Sequence, residues 1–70
     1  MNFKHWFADR LRTLREAEGM TQHEFAEISE IGIATVERLE RGLNSPNVDT
    51  CLRIVQVLGI PLSALFEGYE

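Results

Sequence analysis

Thr21-Gln22-His23-Glu24-Phe25-Ala26-Glu27-Ile28-Ser29, then Glu30-Ile31-Gly32, then Ile33-Ala34-Thr35-Val36-Glu37-Arg38-Leu39-Glu40-Arg41 and Gly42, form the stretch that decides the fold. Thr21 and Glu24 stand at capping-box spacing: the hydroxyl accepts from a backbone N–H and the glutamate reaches back. A helix is expected from there to about Ser29, burying Phe25 and Ala26, with Ile28 a further core candidate. Glu30-Ile31-Gly32 makes a short break. A second helix is expected over roughly Ile33 to Arg41, and Gly42 closes it. Two short helices joined by a tight turn therefore occupy about residues 21–41.

Upstream, Phe7, Leu11 and Leu14 recur at helical spacing, which predicts a helix from about Phe3 to Glu18 stopped by Gly19. Downstream, Leu43-Asn44-Ser45-Pro46 reads as a loop, because Pro46 disfavours helical geometry in the residue before it. Asn47 suits the N-cap of a helix over Val48 to Leu58, with Asp49 in its first turn favoured by the helix dipole. Gly59 ends that helix, and Pro61 begins a last short one through about Glu67. β-Branched residues never alternate with polar ones over a useful length, so strands are not expected. The fold class is all-α, with five helices.

The chain has 70 residues, 44% of them hydrophobic, which fits one domain spanning 1–70 near the lower size limit for an independent core. No stretch approaches the ~18 apolar residues of a membrane helix. The N-terminus lacks the long apolar region of a signal peptide, so a cytoplasmic protein is expected. Cys51 is the one cysteine, lying among Leu52, Ile54 and Val55, where a free thiol serves as a small core residue. His5 and His23 are far apart and lack partners at ligand spacing, so neither metal nor cofactor is expected. The Asp, Glu, His and Ser residues form no nucleophile–base arrangement, which argues against an enzyme.

The net charge of −4 is unevenly spread. Residues 1–15 hold Lys4, Arg10, Arg12 and Arg15 against Asp9, whereas residues 16–30 hold Glu16, Glu18, Glu24, Glu27 and Glu30 with no Lys or Arg. Between Ile31 and Arg53, Arg38, Arg41 and Arg53 balance Glu37, Glu40 and Asp49. An acidic chain can still bind nucleic acid if its acids point away from the basic surface. Projecting Ile33–Arg41 at ~100° per residue buries Val36 and Leu39 and turns Ala34, Glu37, Arg38 and Arg41 outward, with Ile33 and Thr35 on the flanks. Such a face suits a major groove: apolar groups meet thymine methyls, and an arginine donates two hydrogen bonds to guanine O6 and N7. Many surface helices would satisfy that pattern alone.

The surrounding residues narrow it. Leu11-Arg12-Thr13-Leu14-Arg15, Gly19-Met20-Thr21-Gln22, Phe25-Ala26, Val36, Leu39-Glu40-Arg41-Gly42, Pro46 and Leu58-Gly59-Ile60 resemble the phage repressor/Cro-like (Xre-type) helix-turn-helix family. The resemblance runs from about Phe7 to Phe66. It implies a five-helix, lambda-repressor-like fold that binds double-stranded DNA, usually as a dimer on a pseudo-palindromic operator. It further implies that Ile33, Ala34 and Arg38 face base edges and that Gln22 contacts a phosphate and sometimes a base edge. The plainer alternative for Gln22 is an ordinary first-turn residue. Thr21, Gln22, Thr35, Arg41 and the loop residues Asn44, Ser45 and Asn47 fall in regions that hold the DNA backbone. Arg15 and Glu40 match a partly buried ion pair between the first helix and the end of the third.

The sequence also departs from that pattern. The turn reads Ser29-Glu30-Ile31 where Leu-Gly-Val is common, and Gly32 stands where Ser or Thr commonly caps the reading helix. Ile33 and Ala34 replace long polar side chains, leaving Arg38 as the strong base donor. Phe3 with Trp6, and Phe66 with Tyr69, lie outside the Phe7/Leu11/Leu14 stripe; either pair caps a small core or forms a dimer surface. Dimerisation would multiply the affinity of a module with few base contacts. The expected function is a dimeric transcriptional repressor of phage, mobile-element or restriction-modification controller type, without a small-molecule effector. The alternative is a helix-turn-helix that binds protein, such as an antirepressor or a subunit of a DNA-binding complex.

Overall fold

The structure, a computed structural model, describes residues 2–70. Five helices follow in order: α1 (Phe3–Ala17), α2 (Gln22–Ser29), α3 (Ile33–Glu40), α4 (Val48–Leu58) and α5 (Leu62–Leu65). No strand occurs among the described residues.

Local hydrogen bonds set the helix ends. Asn2 starts α1 by accepting the His5 N–H at 2.9 Å. The far end closes as Met20 N–H turns back to the Arg15 carbonyl, so Glu18 caps a helix that stops at Ala17, one residue short of the expected end. The capping box at α2 is complete: Glu24 N–H donates to Thr21 Oγ1 at 3.1 Å, and Thr21 N–H donates to Glu24 Oε1 at 2.8 Å. The Glu24 pKa is lowered from its ordinary value, chiefly because its carboxylate accepts the Thr21 backbone N–H, with the Thr21 side chain adding to the effect. Asn47 Oδ1 accepts the Thr50 N–H at 2.8 Å and caps α4.

Three further sequence expectations need correction. Helix α3 ends at Glu40, with Arg41 as its cap, because the chain tightens toward Gly42. Helix α5 ends at Leu65 rather than Glu67, since residues 66–68 form turns. Ile28 is 59% exposed, and Ser29 is the buried residue at that end of α2. An eight-residue helix presents a narrow inner stripe, which Phe25, Ala26 and Ser29 fill.

Helix α3 packs against both α1 and α2, α2 packs on α4, and α4 on α5. Phe7, Leu11, Phe25, Val36, Leu39, Ile54 and Leu65 are fully buried where these helices meet. Cys51 joins that core, and burial raises its thiol pKa. The two aromatic pairs, separate in sequence, converge within one chain. The Phe3 ring lies 5.2 Å from Tyr69, edge-on, and 6.1 Å from Phe66, while Trp6 lies 5.1 Å from Tyr69. Phe3 also stacks on Phe7 at 5.6 Å, which ties the cluster to the core stripe instead of leaving it outside.

Candidate nucleic-acid interface

The candidate site is assembled around the C-terminal end of α3. Arg15 Nε donates to Glu40 Oε2 at 2.7 Å and Nη2 donates to Oε1 at 2.9 Å, a two-pronged ion pair between α1 and α3. Both side chains are buried, at 9% and 2% exposure. Arg15 Nη1 also donates to the Met20 carbonyl at 2.7 Å, so the guanidinium spans three segments. Its pKa is raised above the ordinary arginine value, chiefly by the hydrogen bond with Glu40. Arg12 adds a 2.7 Å bond to the Glu40 carbonyl, holding the backbone of the last turn of α3.

Gln22 Nε2 donates to Glu40 Oε1 at 3.0 Å. This contact locks the first residue of α2 onto the end of α3 and fixes how the two helices present their outer surfaces. Gln22, Glu37 and Arg41 line one shallow recess there. Thr21, beside it, is exposed, and its hydroxyl oxygen is engaged as the α2 cap.

On α3, Ala34, Thr35, Glu37 and Arg38 are exposed, while Ile33 is half-buried against the core. Ile33 thus divides its surface between packing and the outer face. The Asn44 carboxamide lies between the Leu43 carbonyl and Arg38 Nε; with its oxygen and nitrogen assigned so that both ends meet complementary partners, it donates to the carbonyl at 2.9 Å and accepts from Arg38 Nε at 3.1 Å. Ser45 and Asn47 follow on the exposed loop, with the Asn47 oxygen committed to capping α4.

The distribution of paired cations differs from what the charge pattern suggests. Arg10 donates to the Ala64 carbonyl at 2.6 Å and the Leu65 carbonyl at 3.4 Å, closing the end of α5. Arg12 pairs with Asp9 at 3.1 Å, and Arg53 pairs with Asp49 at 3.0 Å and Glu30 at 3.5 Å. The N-terminal basic segment is therefore largely spent on internal contacts. Among the described residues, no carboxylate lies within ion-pair distance of Arg38 or Arg41. Glu37, on the same helix, and Asp49, which pairs with Arg53, are both outside ion-pair distance of Arg38. The Asn44–Arg38 contact and the Arg10 and Arg12 backbone bonds escape sequence reasoning, although an arginine placed to meet a helix C-terminus is a recognisable signal.

The helix-turn-helix family model matches residues 11–65. The chain belongs to this helix-turn-helix family. It is 32% identical over 62 residues to the HTH-type transcriptional regulator DdrOP3 of Deinococcus deserti, covering 89% of this chain and 48% of that protein. It also resembles the crystal structure of an HTH_3 family transcriptional regulator from Vibrio cholerae, at 30% identity and a TM-score of 0.87, covering 96% of this chain and 38% of that one. The chain thus spans less than half the length of either relative. In family terms, α2 and α3 are the helix-turn-helix pair, and the match takes in α4 and α5 through Leu65. No helix among the described residues is long and apolar enough to cross a membrane.

Proposed function

We propose that this helix-turn-helix chain binds double-stranded DNA sequence-specifically, as a homodimeric transcriptional repressor reading a pseudo-palindromic operator through the major groove. The observation that carries this reading is the exposed face of α3, where Arg38 and Arg41 keep their charge available while Arg12, Arg15 and Arg53 are paired internally. Both similar proteins are named transcriptional regulators, which agrees with it.

In this reading Arg38 donates to guanine O6 and N7, and Ile33 and Ala34 supply shape and methyl contact. Gln22 carries its remaining amide capacity to a phosphate or base edge. Thr21, Thr35, Arg41, Ser45 and Asn47 follow the DNA backbone, which sets register without reading sequence. The second copy doubles the half-sites, and Tyr69 at the rim of the aromatic cluster, 44% exposed, is the side chain offered to it.

Selection of bound duplexes from a random pool, followed by a salt titration of the winner, tests the proposal. A palindromic site is expected, with binding that weakens as salt rises. Failure to bind any duplex at low salt overturns it. Such a failure would favour the protein-binding alternative, for which exposed Ile28 and Leu52, lining one groove between α2 and α4, supply an apolar surface.

A further inference from the structure

Residues 38–44 fold back on a single arginine. Leu43 N–H donates to the Arg38 carbonyl at 3.0 Å, bringing the loop against the last turn of α3. Gly42, at φ +74°, makes the bend, with the His5 ring packed where a side chain would otherwise project. Asn44 is delivered by this bend to the Arg38 side chain. In the amide orientation that gives both ends complementary partners, its nitrogen donates to the Leu43 carbonyl and its oxygen accepts from Arg38 Nε at 3.1 Å.

We propose that Asn44 is a positioning residue for Arg38: it holds the guanidinium through Nε and leaves the Nη1–Nη2 edge directed outward to read one base pair. This rests on α3 being the DNA-reading helix. A guanidinium carries five N–H donors in a rigid plane, and using Nε leaves the four terminal ones as a fork. That fork matches the paired acceptors on guanine. A free arginine on a helix surface loses rotamer freedom when it binds; one already tethered loses less. A neutral carboxamide suits the task because it orients the plane without cancelling its charge, as a carboxylate there would. The family resemblance implies a phosphate contact for Asn44; the bonds its amide makes to Leu43 and Arg38 favour the positioning role instead.

The test compares base preference at every position of the selected duplex for the wild type, Asn44→Ala, Arg38→Ala and the double variant. Asn44→Ala is expected to reduce preference by about three- to tenfold at one base pair per half-site, the range spanned by ordering one long side chain. In the Arg38→Ala background it should change nothing further. Arg38→Lys, which keeps the charge and lacks Nε, should likewise abolish sensitivity to Asn44. In the free protein, the Arg38 Nε–H should give a protected NMR signal that Asn44→Ala removes; an unchanged signal overturns the contact. If Asn44→Ala weakens all duplexes equally, and does so without Arg38, Asn44 is a phosphate ligand and the proposal falls. If Arg38→Ala alters preference at no base pair, Arg38 is not a reading residue and the proposal falls with that assignment.

Discussion

Glu40 takes both prongs of the Arg15 guanidinium and the Gln22 amide on one buried carboxylate, at 2.7, 2.9 and 3.0 Å. Three elements therefore depend on one side chain, because α1, the start of α2 and the end of α3 all meet there. Glu40→Ala leaves a buried cation without its partner and is expected to cost about 3–5 kcal/mol. For 70 residues, total stability on the order of 4–10 kcal/mol leaves little margin. Replacing the pair together, as Arg15→Met with Glu40→Leu, should cost distinctly less, since no charge is stranded. Urea unfolding of both variants checks this; equal losses would show that the shape of the pair, not its charge, matters.

The Glu24 carboxylate gives stability a pH dependence of defined sign. Its folded pKa is lowered, first by the Thr21 backbone N–H and then by the Thr21 side chain. The contribution is thus fully present above the ordinary glutamate range and is lost as pH falls through the depressed folded value. Glu24→Gln should flatten the acid side of the stability profile: the variant is less stable than the wild type near neutrality, and the two converge as the wild-type carboxylate protonates. An unchanged slope between about pH 5 and pH 2 would remove Glu24 from the account.

Much of the fold is legible because its causes are local. Thr21 with Glu24, and Asn47 ahead of Val48, announce helix starts through bonds spanning three residues, and Phe7, Leu11, Val36 and Leu39 follow the helical repeat. Other features depend on where distant segments come to rest. Arg10 finds the carbonyls of Ala64 and Leu65 more than fifty residues away, and nothing near Arg10 in sequence specifies that target. Arg38 and Asn44 meet through a loop bend rather than a periodic pattern. Ile28 sits at the edge of a short stripe, where one residue of helix rotation decides burial. At the site, the direction of the α3 face follows from periodicity, whereas which arginines remain unpaired emerges from tertiary packing.

Glu30 occupies the left-handed region, at φ 61° and ψ 29°, between the two helices of the motif. A side chain there costs roughly 1 kcal/mol or more, and Glu30 stands where the resembling pattern commonly places glycine. Its compensating contacts with Arg53 are long and exposed, at 3.5 Å, and contribute little. Glu30→Gly is expected to stabilise the chain by about 0.5–1 kcal/mol, after the added freedom of the unfolded chain is subtracted. Glu30→Ala keeps the Cβ and should bring no such gain. Thermal melts distinguish the two; equal gains would point to charge removal instead.

Gly42 and Gly19 share a similar left-handed backbone, at φ +74° and +70°, but differ in their surroundings. A Cβ on Gly42 would meet His5 Cδ2 at 2.7 Å, whereas one on Gly19 would meet nothing within 4 Å. Gly19→Ala should therefore show the backbone cost alone, about 1 kcal/mol. Gly42→Ala should cost more, by whatever displacing the imidazole adds, and His5→Ala should relieve that excess. A double-mutant cycle in urea measures the coupling; additivity would mean the ring swings aside freely.

If the proposed reading holds, Arg41 separates backbone attraction from sequence reading. It caps α3, lines the recess with Gln22 and Glu37, and has no carboxylate within ion-pair distance among the described residues. With most other arginines held internally, few charges remain to displace counterions from DNA. The logarithm of affinity should therefore fall with the logarithm of salt at a shallow slope, about 2 to 4 in magnitude for a dimer. Arg41→Ala is expected to weaken all duplexes alike and to reduce that slope by about one per half-site. Arg38→Ala should leave most of the slope in place and relax preference at one base pair, costing about 1–3 kcal/mol on the preferred site. If instead Arg41→Ala changes sequence preference while the slope stays fixed, the two arginines have exchanged roles, and the outer face of α3 enters the groove rotated toward its C-terminal end.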